Sequence, residues 1–451
     1  MDKNISFIGI DIGTSSICGV AYNASSKEII SITKANYADV KSPNTWEKIQ
    51  DVEIIIHIVK DLIQIFESMN LNIKGIGLSG QMHGILYVDE TGNSISPLYT
   101  WRDMRGELTY KNGLSYVDYL SQESGLLLFP GYGLVTHFYN QKNGLVPKNT
   151  AKLCTIMDYI AMRLTGNTKP LMDPSNADSL GFFNKKQLAF YEFELNKVEI
   201  DCSILPILVK KPSIVGYYGR IPVYTAIGDN QASFLGSVRA IDKSIHIMVG
   251  TSSQLSVYSS TFVEVPPLDT RPLPGGGYIL VGAGLSGGAS FTLLKNFFHN
   301  TIKLFVGQEI TDSELYKTML SVPHIRDNKN EICVETLFNG SRQHPKERGK
   351  ISNISSSNWT PESLIIGFLK GISHELFKFY QALPSDVREN KNILIGSGNG
   401  LRKNPLLCHI IEEHFGYKLS ISSSNEEASL GACIHSMVAA GYISNFSDFE
   451  L

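Results

Sequence analysis

Cysteine is scarce and scattered. The six residues Cys18, Cys154, Cys202, Cys333, Cys408 and Cys433 form no C-x-x-C pair, which disfavours a zinc site or a disulfide framework and points to reduced thiols, most of them buried. A long basic run is also missing. With 40 basic and 43 acidic residues the formal net charge is -3, so the electrostatic footprint of a nucleic-acid or anionic-membrane binder is absent. No apolar stretch approaches the ~20 residues of a membrane span, and the chain runs from Met1 into a strand-like segment without a signal-peptide pattern. The expectation is a cytoplasmic protein that meets a small molecule, as monomer or homodimer, with no nucleic acid or membrane as partner. G-x-x-x-x-G-K-[ST] does not occur and the glycine-rich run Gly396–Gly400 does not match G-x-G-x-x-G, which disfavours a P-loop NTPase, a Rossmann dehydrogenase and a protein kinase.

What is present is an ordinary globular mixture, 43% hydrophobic and 18% charged over 451 residues. That length exceeds what one core usually organises, so two domains are expected, 1–240 and 241–451, with a ligand cleft between them that closes on its substrate. A repeated tetrapeptide supports two halves of one plan. Gly13-Thr14-Ser15-Ser16 lies between the β-type runs Phe7–Ile12 and Ile17–Tyr22, and Gly250-Thr251-Ser252-Ser253 between Ile245–Val249 and Gln254–Tyr258; both read as hairpins with a hydroxyl-rich turn. Elsewhere strand and helix patterns alternate, predicting helices over 45–69, 151–164, 360–383, 405–415 and 426–440, and strands over 73–79, 223–227, 392–395 and 418–422. The class is α/β, with mixed sheets covered by helices.

Three groups of residues suggest chemistry. Turns of Gly, Thr and Ser present backbone N–H groups and hydroxyls to phosphate oxygens, with Asp11 beside the first suited to Mg2+; a single such turn is common in hairpins that bind nothing. Asp229 ends an apolar strand within Gly228-Asp229-Asn230-Gln231, where it either accepts a proton from a hydroxyl or merely caps the following helix. Gln81-Met82-His83-Gly84 follows the strand 73–79, a usual place for ligand contacts, although a histidine there is as often structural. Trp101-Arg102-Asp103 reads as an indole packed on a local Arg–Asp pair. The glycine-rich run Gly396–Gly400 allows close backbone approach to a nucleotide.

Together these segments resemble the FGGY carbohydrate kinases, over essentially the full length. The resemblance implies a two-domain actin/hexokinase/Hsp70-like (ribonuclease H-like) fold with a central active-site cleft, and transfer from Mg-ATP to a sugar hydroxyl. It implies phosphate contacts at Thr14, Ser15, Gly250, Thr251 and Ser252, nucleotide contacts at Gly287, Gly288, Gly398 and Asn399, metal contacts at Asp11 and Asp229, and Asp229 as catalytic base. The implied sugar site is Gln81, Met82, His83, Trp101, Asp103 and Asn230. The segment Ser79–Gly84 is shared by xylulose and sedoheptulose kinases, whereas Gly131-Tyr132-Gly133, the run from Ser175 to Asn184, and Arg342–Pro345 are more similar to the latter. Ser341 and Asp178 depart from the family pattern. The alternatives are another ketose or polyol kinase and a catalytically silent sugar or nucleotide sensor.

Overall fold

A computed structural model describes residues 4–323, 331–341 and 346–450; the segment Arg342–Pro345 lies outside them. The chain divides into two compact units. The first comprises Met1–Arg239, Arg271–Tyr278 and Glu426–Leu451, the second Ala240–Thr270 and Ile279–Asn425.

The first unit opens with the hairpin β1 (Ile5–Ile12) and β2 (Ser16–Asn23), paired antiparallel down to Ile12↔Ile17, followed by β3 (Ile29–Ala35). Helix α1 (Val52–Ser68) begins later than the apolar spacing predicts. Ile49–Gln50 forms a short strand instead, because the Asp51 side chain accepts the N–H groups of Glu53 and Ile54 and so starts the helix there. Its face of Ile55, Val59, Leu62 and Phe66 is fully buried in the core that also holds Ile8, Ile10, Ile76 and Leu78. Strand β4 (Asn72–Gly80) then runs parallel to β1. Helix α2 (Ile156–Thr165) starts five residues after the expected start at Ala151, since 152–154 pair as a strand. A short helix α3 (Pro174–Ser179), capped by Asp173, precedes β5 (Ile214–Tyr218), β6 (Ile221–Tyr224) and β7 (Ile227–Gly228), so the strand expected over 223–227 is interrupted. Helix α4 (Asp229–Ser237) closes this stretch. The sheet order is β5-β6-β4-β1-β2-β3, with β7 also parallel to β4.

The second unit repeats the opening. Its hairpin β8 (Ser244–Val249) and β9 (Ser253–Ser259) is antiparallel down to Val249↔Ser253. After β10 (Asp269–Pro272), β11 (Tyr278–Gly284), helix α5 (Gly287–Val306) and helix α6 (Pro361–Gln381) comes β12 (Ile393–Ser397), parallel to β8 as β4 is to β1. The chain continues through α7 (Asn399–Arg402), α8 (Pro405–Phe415) and β13 (Leu419–Ile421), giving the order β10-β11-β9-β8-β12-β13. Its core is separate and gathers Ile245, Ile247, Leu369, Ile372, Ile410 and Ile411.

A simple halving of the chain at 240/241 is corrected at the C-terminus. The last helix, α9 (Glu427–Ala439), belongs to the first unit. A Cβ on Gly431 would come within 1.8 Å of the Ala232 carbonyl oxygen, and one on Gly77 within 1.9 Å of that of Ala432. Only bare backbone allows α9 to lie this close to α4 and β4. Among the described residues no helix is long and apolar enough to cross a membrane.

Candidate active site

Strand β4 organises the two carboxylates. On one side its Ser79 is paired with Asp11 of β1, and the Ser79 hydroxyl donates to Asp11 Oδ1 at 2.7 Å. On the other side Ser79 and Gly80 face Ile227 and Gly228 of β7, which delivers Asp229 as the first residue of α4. The carboxylates thus flank one strand, their strands roughly 10 Å apart. Each keeps a partly exposed edge. Desolvation raises Asp11 to about 6, with the Glu426 charge adding to it and the Ser79 bond opposing it. Asp229 rises further, to about 7, through desolvation and then the charge of Asp11, against the Asn230 N–H and the Arg271 guanidinium. The mutual repulsion falls on Asp229 because the group that ionises last meets the charge of the first.

The first hairpin turn lies beside them. All three of its carbonyls are turned back into the protein: the oxygen of Gly13 accepts from Asn36 Nδ2, that of Thr14 from Gln50 Nε2, and that of Ser15 from the Asn36 N–H, at 2.9–3.0 Å. The second unit reaches the same result by other means. The carbonyl of Gly250 accepts from Gly288 N–H, that of Thr251 from Ala289 N–H, and that of Ser252 from Gly250 N–H, each at 2.9 Å. A Cβ at Gly288 would sit 2.3 Å from the Gly250 oxygen, and one at Gly398 2.5 Å from the Val249 oxygen. Gly287, Gly288 and Gly398 therefore pack around the Gly250–Ser252 turn, and Asn399 opens α7 one residue on, exposed. A turn whose carbonyl oxygens are all engaged inward repels an anion less and leaves its hydroxyls and N–H groups to meet one.

The residues predicted for a polar ligand fall into a connected cluster in the first unit. Thr14 Oγ1 accepts from Trp101 Nε1 at 2.9 Å and donates to Gln81 Oε1 at 3.2 Å, while Gln81 Nε2 donates to Gln50 at 2.8 Å. Met82 lies under the start of α4, where a Cβ on Gly228 would meet its sulfur at 2.7 Å. The ring of His83 stacks on Tyr132 with centroids 5.0 Å apart, and its Nδ1 lies 2.8 Å from the carbonyl of Ser179. Beside Asp229, Asn230 Oδ1 is buried with no hydrogen-bond partner, an acceptor that a ligand hydroxyl would satisfy.

Asp103 is placed differently. Fully buried, it receives Arg105 Nε at 2.7 Å, Arg105 Nη2 at 3.0 Å and the N–H groups of Lys48 and Arg105. It braces the loop beneath Trp101 rather than presenting a surface. The expected indole packing on an Arg–Asp pair is also rearranged, since the guanidinium is that of Arg105 and lies 4.3 Å over Tyr99. Reading the sequence missed Asn36, Gln50 and Arg271. Isolated polar residues in strands or loops carry no local signal, and Arg271 reaches Asp229 only because Arg271–Tyr278 rejoins the first unit, where Pro272 accepts from Gln231 at 3.1 Å.

These two units, each a hairpin with a parallel strand beside it and helices over it, have the two-domain actin/hexokinase/Hsp70-like architecture. A solved xylulose kinase with bound ligand from Lactobacillus acidophilus shares it with a TM-score of 0.81, over 98% of this chain and 91% of its own, at 18% identity. The model of the FGGY family of carbohydrate kinases, N-terminal domain, matches residues 6–236, and the chain belongs to that family. Sedoheptulokinase from Mus musculus is 27% identical over 95% of this chain and 96% of its own length. A xylulose kinase from Staphylococcus xylosus is 24% identical over 98% and 92%. The coarse activity is accordingly that of an ATP-dependent carbohydrate kinase.

Proposed function

We propose that this kinase phosphorylates the terminal hydroxyl of a ketose, with sedoheptulose the favoured substrate and sedoheptulose 7-phosphate the product. The observation that carries the substrate assignment is the convergence on His83. Tyr132, from the segment Gly131–Gly133, stacks on its ring, and Ser179, from the run 175–184, binds its nitrogen; these are the segments that separate sedoheptulose from xylulose kinases by resemblance. Asp178 in the same run pairs with Lys185 at 3.6 Å, next to this cluster.

In this reading Asp229, ionised, accepts the proton of the sugar hydroxyl as its oxygen bonds to the γ-phosphorus and the bond from that phosphorus to the ADP oxygen breaks. Gln81, Met82, His83, Trp101 and Asn230 orient the sugar, with Asp103 bracing from behind. Thr14 and Ser15 in the first unit, and Gly250, Thr251 and Ser252 in the second, receive phosphate oxygens; Gly287, Gly288, Gly398 and Asn399 serve the rest of the nucleotide. Asp11 and Asp229 would hold Mg2+, directly or through water. The fit is reasonable: both donors are hard carboxylate oxygens that burial and repulsion destabilise as anions, so a hard cation beside them would relieve that cost. When bound, the ion supplies positive charge to the transferring phosphate oxygens.

The test compares kcat/KM for sedoheptulose, xylulose, ribulose and glycerol with saturating Mg-ATP. Sedoheptulose should lead by about tenfold or more, since a site that hydrogen-bonds each hydroxyl separates substrates strongly. A lead for xylulose would install the second reading, which the shared segment Ser79–Gly84 supports. No ADP release with any sugar would refute the kinase reading of this site.

A further inference from the structure

Helix α3 is only six residues long, yet it grips two separate parts of the site. From its first turn, Ser175 Oγ accepts the N–H of Gly228 at 3.2 Å, and Asn176 Nδ2 donates to the carbonyl of Ala226 at 3.2 Å. Both bonds end on the segment Ala226–Gly228 that leads into Asp229. Asp173 anchors the turn by accepting the Ser175 hydroxyl at 2.6 Å and its N–H at 2.8 Å. From its last residue, buried Ser179 binds His83 twice: its hydroxyl accepts the His83 N–H at 3.0 Å, and its carbonyl faces His83 Nδ1 at 2.8 Å. The Ser179 hydroxyl in turn donates to the carbonyl of Asn176 at 2.6 Å, which fixes its lone pairs toward His83.

The double contact has a conformational and an electronic consequence. His83 stands at φ 74°, a left-handed conformation that a residue with a Cβ occupies at a cost unless held there. The Ser179 hydroxyl holds it by engaging the backbone N–H. In the neutral ring, a nitrogen that faces a carbonyl oxygen must carry the proton, so Nδ1 is the donor and Nε2 the acceptor. The parallel ring of Tyr132 fixes the remaining rotation.

We infer that Ser179 is a positioning residue for sugar binding, acting through His83 to present Nε2 as an acceptor for one substrate hydroxyl, in register with Asp229 through the shared helix α3. This rests on the reading of His83 as a sugar ligand. Ser179→Ala removes the acceptor for the His83 N–H and should raise the sugar KM about tenfold, the size of one net hydrogen bond, with kcat within about threefold and the ATP KM unchanged. His83→Asn tolerates the left-handed backbone but lacks the ring; in that background Ser179→Ala should add no further change in sugar KM. Histidine 15N shifts of the full-length protein, assigned by the His83→Asn spectrum, should show His83 protonated at Nδ1 in the wild type and, because the Ser179 backbone carbonyl remains, in Ser179→Ala as well, so that the change in KM reports the placement of the ring.

Additive effects of the two substitutions, a sugar KM within about twofold of wild type in Ser179→Ala, or a wild-type His83 protonated at Nε2 would each overturn the inference. If Ser179→Ala unfolds, Ser179→Cys, which keeps a weak acceptor at the same place, should give an intermediate sugar KM, and a wild-type KM would again overturn it. A wild type that phosphorylates no sugar would defeat the kinase reading instead, and the tautomer would still decide the part of Ser179.

Discussion

Replacing Asp229 by asparagine should make the unliganded protein more stable and nearly inactive. The ionised carboxylate is held where burial and the charge of Asp11 raise it from an ordinary 3.8 to about 7. Keeping it ionised above pH 7 therefore costs at most about 4 kcal/mol, which its partly exposed edge reduces to about 1–3 kcal/mol. An amide of the same shape removes that cost and forfeits about 0.3–1 kcal/mol of favourable charge at the N-terminus of α4. The net gain is on the order of 1–2 kcal/mol, or about 2–6 °C in the melting transition of a unit this size. Because the folded value lies above the unfolded one, the cost is absent below about pH 4, where the carboxyl is protonated folded or unfolded, and grows as pH rises to about 7. Thermal unfolding without Mg2+ or nucleotide at about pH 8 and pH 4.5 should show stabilisation at the first and almost none at the second. A coupled ADP assay should show kcat lower by about 1000-fold. A variant that melts below wild type at pH 8 would refute the electrostatic account, and one that retains kcat within about tenfold would refute the assignment of the base.

The acid limb of kcat/KM for the sugar follows from the same pair: activity should fall as pH drops below about 7 and more steeply below about 6, as the two carboxyls protonate in turn. At fixed ionic strength and limiting Mg2+, a profile flat from about pH 5.5 to 8 would exclude it. The inward tie of the first turn is tested by Gln50→Leu, which releases the Thr14 carbonyl and the Gln81 amide. The ATP KM should rise about tenfold as that carbonyl turns toward the phosphates, and an unchanged ATP KM would show that the tie does not matter.

Much of the site was legible because its signals are local. The two Gly-Thr-Ser turns, the carboxylate after an apolar strand and the polar tetrapeptide after another each lie within about six residues, and their strands form in the registers that place Asp11 beside Ser79 and Ile227 beside Ser79 on the other edge. Helix starts were misplaced where one side chain decided them, as Asp51 did for α1.

The amino-acid order alone determined the two matching hairpins, the α/β alternation and the candidate base, because periodicity and turn chemistry act between near neighbours. Only the tertiary structure decided which unit receives α9, which amides turn the Thr14 and Gly250 carbonyls inward, and that Arg271 and Ser179 reach Asp229 and His83. Those outcomes depend on backbone approaches and buried hydrogen bonds between residues 36 to about 400 positions apart, which no window along the chain can register.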